Sequence, residues 1–470
     1  METENIYIYN KENSEKPVPK DVVTVVVEGL QEIGASAFMS CTNLVEITLP
    51  DDLTKIGDKA FAYCENLVKI TFPDNLKAIG YRAFAYCEKL KNITFPDNLE
   101  EIGASAFAYC ENLVKITFPD NLKAIGYRAF AYCEKLNIIT LPKDLQEIGD
   151  SAFFHCKSLD DIELPEALTK ISAGAFAFCT SLNIITLPKD LQEIGDSAFF
   201  HCKSLEDIEL PEALTEIGVS AFGLCENLGN ITFPDNLEEI GDSAFMSCKS
   251  LEDITLPNAL SVIGDSAFQF CENLKEITFP KDLKKIGDKT FASCKSLVGI
   301  SNGFSPSCNV HKSAFSNCPL LQAAATANGF SNPIVWGNDL WEKKADADIR
   351  YAVINAVKRE REEQDKNNGD ERPANTEGEK LSEGEKLSEG KKLLRGLAIL
   401  PSSDNNTNQE GQVFRHVLSF VSARENEAEG AESAGERGTR KRGGKRGTRK
   451  RGTRKRGIRK RGGRTIHSTC

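Results

Sequence analysis

Residues 44–64 read LVEITLPDDLTKIGDKAFAYC, and this unit returns with a step of 23 residues through more than half of the 470-residue chain. Cysteine repeats at that step from Cys41 to Cys294, and phenylalanine and proline keep the same step. Glycine does so too, apart from Ser172. A strict short period of this kind is typical of a solenoid, in which each repeat forms one coil of a stack.

The positions of the unit predict where a coil forms a strand and where it turns. Leu44, Ile47 and Leu49 have the spacing of a short strand that points these side chains into a core. Pro50 has no backbone N–H and should end that strand. Gly57 is expected to supply a corner with positive φ, and the apolar residues after it should pack the far side of the coil.

A single coil is too small to fold alone. Burying its large apolar side chains contributes roughly 10 kcal/mol, at about 1.5–3 kcal/mol each, whereas ordering the backbone costs about 1–2 kcal/mol per residue. Stability must therefore come from stacking neighbouring coils, with caps at both ends. We expect caps at Val22–Val27 and around Phe315, so that residues 21–335 form the solenoid and residues 1–20 an N-terminal extension.

The unit LxxIxLPxxLxxIGxxAFxxC resembles the BspA-type, or Treponema-type, leucine-rich repeat family. The resemblance covers about 300 of the 470 residues. It implies a leucine-rich repeat solenoid, built mainly of short parallel β-strands with turns, that binds other molecules and has no catalytic motif. Bacterial members of the family resemble secreted or cell-surface adhesins, and many eukaryotic members resemble binding proteins.

Whole blocks of the array are copies of one another. Residues 60–90 are identical to 106–136, and residues 137–159 are identical to 183–205, so both copies are displaced by two coils. Copying lengthens a surface but does not assemble one unique set of catalytic groups. The duplications therefore favour binding over catalysis.

The charges divide the chain into an acidic body and a basic tail. Of the 58 Lys and Arg residues, 16 lie between Arg437 and Arg464, where no acidic residue occurs, which leaves 42 against 69 Asp and Glu elsewhere. Acidic residues gather at the strand positions of the later repeats. This face could attract a basic partner or the protein's own tail, with ordinary solvation as the alternative. The predicted protein-binding residues are Asp160, Asp161, Glu163, Glu206, Asp207, Glu209, Glu252 and Asp253.

The sequence past the array loses the 23-residue period and predicts four further segments. In the first, apolar residues recur at steps of three and four from Trp341 to Ala356, which indicates an amphipathic helix capped by Asn338 or Asp339. Its apolar stripe could dock on the last coil or on a partner. The segments are an amphipathic C-terminal helix at 336–365, a flexible linker at 366–411, a short helix at 412–424 and a disordered region with the basic tail at 425–470.

The basic tail repeats clusters of Lys and Arg separated by Gly and Thr, with no aromatic residue for base stacking. It resembles nuclear or nucleolar localisation signals and RG-rich RNA-binding segments. Three roles stay open: a nuclear address or RNA contact, contact with an acidic protein, and no specific role. The residues concerned are Arg440, Lys441, Arg442, Lys445, Arg446, Arg449, Lys450, Arg451, Arg454, Lys455, Arg456, Arg459, Lys460 and Arg461.

The cysteines and histidines do not predict a metal or redox site. Stacked cysteines should pack as small buried residues, because a strand spacing exceeds the ~3.8 Å between the Cβ atoms of a disulfide. The metal-type residues between Cys294 and Cys318 lack the paired spacing of common zinc sites. His155 and His201 are expected to be solvated.

No phosphate-binding glycine loop, metalloprotease motif, signal peptide or membrane helix is recognisable. We therefore predict a non-catalytic scaffold that binds a protein partner, in the cytoplasm or nucleus. We expect no cofactor, metal, small-molecule substrate or membrane contact. The alternatives are an RNA-associated or nuclear protein whose basic tail dominates binding, and a cell-surface adhesin-like protein.

Overall fold

The computed structural model describes residues 6–343, where the chain forms a stack of coils, each one repeat long. The remainder of the predicted helix at 336–365 lies outside the described residues. The predicted segments 366–411, 412–424 and 425–470 lie outside them as well.

Two ribbons of short strands run through the stack, and nearly every coil contributes one strand to each. In most coils the longer strand ends two residues before the repeat's proline, and the two-residue strand ends just before its glycine. The first ribbon contains β1 (Ile6–Tyr9), β2 (Thr24–Val27), β4 (Glu46–Thr48), β7 (Asn92–Thr94), β9 (Lys115–Thr117), β11 (Ile138–Thr140), β13 (Asp161–Glu163), β15 (Ile184–Thr186), β17 (Asp207–Glu209), β19 (Asn230–Thr232), β21 (Asp253–Thr255), β23 (Glu276–Thr278) and β25 (Gly299–Ser301). The second contains β3 (Glu32–Ile33), β5 (Lys55–Ile56), β6 (Ala78–Ile79), β8 (Glu101–Ile102), β10 (Ala124–Ile125), β12 (Glu147–Ile148), β14 (Lys170–Ile171), β16 (Glu193–Ile194), β18 (Glu216–Ile217), β20 (Glu239–Ile240), β22 (Val262–Ile263), β24 (Lys285–Ile286) and β26 (Asn309–Val310).

Neighbouring strands pair in parallel, with each residue opposite the one that follows it by one repeat. Ile93 faces Ile116 in the first ribbon, and Ile171 faces Ile194 in the second. The second ribbon is continuous from β14 to β26, whereas the first divides into sheets of two or three strands. The predicted solenoid of short parallel strands is confirmed.

Strand pairing begins before the predicted cap at Val22–Val27. Strand β1 lies within residues 1–20 and pairs in parallel with β2, where Ile6 faces Thr24. Tyr9 is buried, and its ring meets the edge of Phe38 at 4.8 Å between centroids. The N-terminal cap therefore includes β1.

A column of phenylalanine rings forms the centre of the core. Phe38 stacks on Phe61 with 5.0 Å between centroids, and the stacking continues with one ring per coil. Beside this column the Cys64 thiol donates to the Phe38 carbonyl oxygen of the preceding coil at 3.2 Å. Because the same pair recurs down the stack, the cysteines tie neighbouring coils together as buried side chains.

The glycine column serves close packing rather than the predicted positive-φ corner, so that prediction was wrong. Gly57 does not have a positive φ; Lys59 (55°) and Tyr63 (62°) take the left-handed conformation instead. A Cβ on Gly57 would lie 2.8 Å from the carbonyl oxygen of Ile33 in the preceding coil. Glycine is needed here because two backbones approach each other.

Two helices follow the last coil, α1 (Pro319–Ala327) and α2 (Pro333–Lys343). Trp336 and Leu340 of α2 are buried in the core cluster that also holds Phe304. The described part of α2 thus docks on the end of the solenoid. The predicted apolar stripe from Trp341 to Ala356 lies outside the residues whose side chains are described, so its docking on the last coil or on a partner stays a prediction.

Helix α2 has a different N-terminal cap from the one predicted. The side-chain oxygen of Asn332 accepts hydrogen bonds from the backbone N–H groups of Ile334 (3.0 Å) and Val335 (3.1 Å). An asparagine before a proline at the first helical position is a favoured helix start. Asn338 and Asp339 lie inside the helix, so the prediction that one of them caps it was wrong.

Candidate protein-binding surface

The outward side of the first ribbon, here called the strand face, carries all eight of the predicted acidic residues. Side chains alternate between the two sides of a strand, so Asp161 and Glu163 are exposed while Ile162 between them is buried. Strands β17 and β21 repeat this pattern with a buried isoleucine at the centre. The residues that precede the three strands, Asp160, Glu206 and Glu252, are exposed as well.

The structure brings the acidic residues together within single coils and separates those coils from one another. Asp161 pairs with Ile184 of the next coil. Asp207 lies in the coil after Ile184, and it pairs with Asn230 of the coil that follows. Acidic coils therefore alternate with uncharged ones, at a distance of roughly 9.6 Å for two strand spacings. The alternation follows from the two-coil duplication of the sequence.

Two of the eight carboxylates have a partner on the strand face. Lys275 Nζ lies 2.6 Å from Glu252 Oε2, and the Asn230 amide donates to Asp207 Oδ1 at 2.9 Å. Within residues 6–343, none of the carboxylates other than Glu252 has a basic group within 4 Å. Seven of them therefore face solvent without an ion pair.

A groove of about 850 Å³ crosses the strand face at β15, β17 and β19. Glu206, Asp207 and Glu209 lie in its middle, with Ile184 on one side and Asn230 on the other. The groove thus offers carboxylates beside an apolar side chain. The basic residues from Arg440 to Arg461, the other predicted site, lie outside the described residues.

Two exposed isoleucines on the strand face were missed by sequence reasoning. Ile138 is 48% exposed and Ile184 is 59% exposed, both at the first position of their strands. The signal was present in the repeated NIITLP, where an apolar residue stands at a position that is charged or polar in most of the other repeats.

A ladder of tyrosines was also missed. Tyr63, Tyr86, Tyr109 and Tyr132 stack with 4.4–4.6 Å between ring centroids. Burial raises the pKa of the Tyr86 and Tyr109 hydroxyls. The AYC triplet, which recurs every 23 residues, was the signal for this ladder in the sequence. Because neighbouring rings cover one another's faces, the ladder stabilises the stack and leaves little ring surface for a ligand.

The cysteine column is a packing feature. Burial raises the pKa of the Cys64 and Cys110 thiols to about 12, so both stay protonated at neutral pH. The cysteines from Cys41 to Cys318 are all free and buried. Within the described residues, no group of three or more His, Cys, Asp and Glu side chains is placed to hold a metal ion.

The two predicted solvated histidines are partly buried instead. The His155 ring packs on Tyr132 at 4.8 Å between centroids, and His201 packs on Phe178 at 5.0 Å. Burial, with a smaller contribution from Lys203, lowers the pKa of His201 to about 4. Both rings extend the tyrosine ladder, because the repeat places them in the same column.

No helix in the part of the chain that the structure describes has the length and apolar character needed to cross a membrane. A search of curated proteins found no match. Among solved structures, the chain is similar to a leucine-rich repeat protein from Bacteroides ovatus, with 29% identity, a TM-score of 0.54, and coverage of 67% of this chain and 85% of that one. It is also similar to a leucine rich cell surface protein from Faecalibacterium prausnitzii, with 27% identity, a TM-score of 0.43, and coverage of 67% and 86%.

A family model described as the BspA type leucine rich repeat region matches three overlapping stretches, residues 23–137, 100–228 and 193–322. Together these stretches span well over half of the chain and coincide with the coils described above. The chain therefore belongs to the BspA-type leucine-rich repeat family.

Proposed function

We propose that this protein is a non-catalytic scaffold that binds a basic protein partner through the strand face of β13–β21. The observation that carries the proposal is the set of seven exposed carboxylates without an ion pair among the described residues. Paired charges would satisfy one another, whereas these remain available to a partner. Membership of a repeat family that serves generally in interactions supports the same role.

The charge pattern favours a partner that contacts several coils at once. At physiological ionic strength the Debye length is about 8 Å, which is shorter than the roughly 9.6 Å between acidic coils. A single basic group on the surface therefore interacts mainly with the acidic coil nearest to it, because salt screens the next acidic coil. Binding should require several basic groups in direct contact, and its rate of association should fall as salt increases.

The test compares two full-length variants that lose the same charge at different places. One variant neutralises the strand face, and the control neutralises exposed turn residues that have no ion pair among the described residues. The strand-face changes are Asp161→Asn, Glu163→Gln, Asp207→Asn and Glu209→Gln; the control changes are Glu166→Gln, Asp190→Asn, Asp235→Asn and Asp282→Asn.

Proteins bound in cells are cross-linked to each form and quantified by mass spectrometry. We expect a defined set of proteins to be retained by the wild type and the control and lost from the strand-face variant. Equal recovery of the same proteins by all three forms would refute the proposal.

A further inference from the structure

One column of the strand face alternates between apolar and acidic side chains over four successive coils. It begins at Ile138 in β11, continues through Asp161 in β13 and Ile184 in β15, and ends at Asp207 in β17. Asp161 and Ile184 are direct partners in the parallel register. All four side chains point outward and are exposed.

The spacing of this column discriminates between partner conformations. Coils lie roughly 4.8 Å apart, so the two isoleucines, and likewise the two aspartates, are separated by roughly 9.6 Å. On an α-helix, residues i and i+7 are about 10.5 Å apart along the axis, with i+3 and i+4 between them on the same face. In a helix that lies along the stack, residues i, i+4, i+7 and i+11 therefore match the positions of four successive coils to within about 2 Å.

The side-chain spacing of an extended segment does not match the spacing of the coils. Its side chains on one face are separated by about 6.6 Å, which is more than the coil spacing, so over the same four coils they overshoot the column by more than about 5 Å. Nucleic acid is disfavoured for a different reason, since Asp161 and Asp207 would meet its phosphates with charge of the same sign.

We propose that the strand face of β11–β17 binds an amphipathic α-helix whose axis runs along the coil stack. The helix carries apolar residues at i and i+7, opposite Ile138 and Ile184, and Lys or Arg at i+4 and i+11, opposite Asp161 and Asp207. The groove along β15, β17 and β19 receives the second half of this helix. The inference rests on the proposed scaffold function and specifies the partner of the same surface.

The test uses three synthetic peptides with the full-length protein. The helical probe has leucine at positions 4 and 11 and arginine at positions 8 and 15 of an alanine- and glutamine-rich 20-mer. Its isomer has the same composition with the arginines at positions 6 and 13, which places them on the opposite side of the helix. The third probe alternates leucine and arginine at every second position of a threonine-rich peptide. Affinity is measured by fluorescence anisotropy, and peptide helicity by circular dichroism.

We expect the helical probe to bind at least tenfold more tightly than either of the others and to gain helicity on binding. Ile184→Asn, which installs the residue found at the equivalent position Asn230, should weaken binding about fivefold through lost apolar contact. Val68→Asn is the matched control, because Val68 is also an exposed apolar residue on the strand face, and it should change nothing.

Equal binding of the helical probe and its isomer, or tighter binding of the alternating probe, would overturn the helical inference. The scaffold proposal would still stand if cross-linked proteins are lost from the strand-face variant. If those proteins are retained, the scaffold proposal itself fails, so the two failures can be distinguished.

Discussion

Substituting Gly103 by alanine is expected to destabilise the coil stack by about 1–2 kcal/mol. The new Cβ would lie 2.8 Å from the carbonyl carbon of Gly80 and 2.8 Å from the backbone nitrogen of Tyr81, both in the preceding coil. Backbone atoms cannot rotate away, so the two coils must move apart. Overpacking of this kind costs about 1–3 kcal/mol, and restricting the unfolded chain recovers about 0.4–1 kcal/mol.

Gly34 provides a matched control at the same repeat position. It belongs to the first full coil, and a Cβ placed on it meets nothing within 4 Å. Neither Gly34 nor Gly103 has a positive φ, so backbone strain does not distinguish them. Gly34→Ala should therefore be neutral or stabilising by up to about 1 kcal/mol. Ser172 shows that the column can accommodate one Cβ, which keeps the expected loss at Gly103 moderate.

The assay is equilibrium unfolding of the full-length variants in urea, followed by far-ultraviolet circular dichroism. The prediction concerns the difference in the free energy of unfolding between Gly103→Ala and Gly34→Ala, measured under identical conditions. A Gly103→Ala variant as stable as wild type would refute the close-approach argument. An equal loss in both variants would show that the alanine acts within its own coil.

Three further predictions follow from the buried side chains and the charged tail. In the folded protein, the thiols from Cys41 to Cys318 should react with a disulfide reagent at pH 8 at least tenfold more slowly than in the protein unfolded by urea. The reason is that all of them are buried and burial raises the pKa of most of them. Equally fast reaction of the folded protein would contradict the packing role of the cysteines. His201 has a folded pKa near 4 against about 6.5 when unfolded, so the unfolded state gains a proton first and stability falls as pH drops from about 6.5 to 4. His201→Gln should reduce that fall in urea titrations at several pH values, and an unchanged pH dependence would exclude the contribution. Ending the chain at Glu436 should abolish nuclear signal of a tagged protein if the basic tail is an address, whereas identical images of both forms would assign the tail no part in localisation.

Most of the repeat architecture could be predicted because most repeated positions have a local physical meaning. The prolines of the Pro50 series follow the ends of the longer strands, as expected because proline has no backbone N–H group. The cysteines of the Cys64 series are buried, as expected for a small apolar side chain. The exceptions involve contacts that no local rule describes. The role of Gly57 depends on how near Ile33 lies in the preceding coil, and the partial burial of His155 depends on the Tyr132 ring beside it.

The acidic residues of the candidate surface could be placed outward from the strand period alone, since alternate side chains lie on opposite sides. Ile184 and Asn230 separate the acidic residues of successive coils, and their effect on the surface could not be predicted without knowing which side chains are exposed. Exposure is set by the packing of neighbouring coils, and the sequence pattern does not measure it.

The 23-residue period is enough to predict a stack of coils with aligned Cys and Phe columns and an acidic side, because a strict period returns each side chain to the same place. The distances between those places are known only once the coils are packed against one another. Packing places the Gly57 backbone against the preceding coil, leaves Ile138 exposed beside Asp161, and leaves Ile184 exposed between Asp161 and Asp207. These outcomes depend on contacts between residues 23 or more positions apart, which form only when the coils pack together.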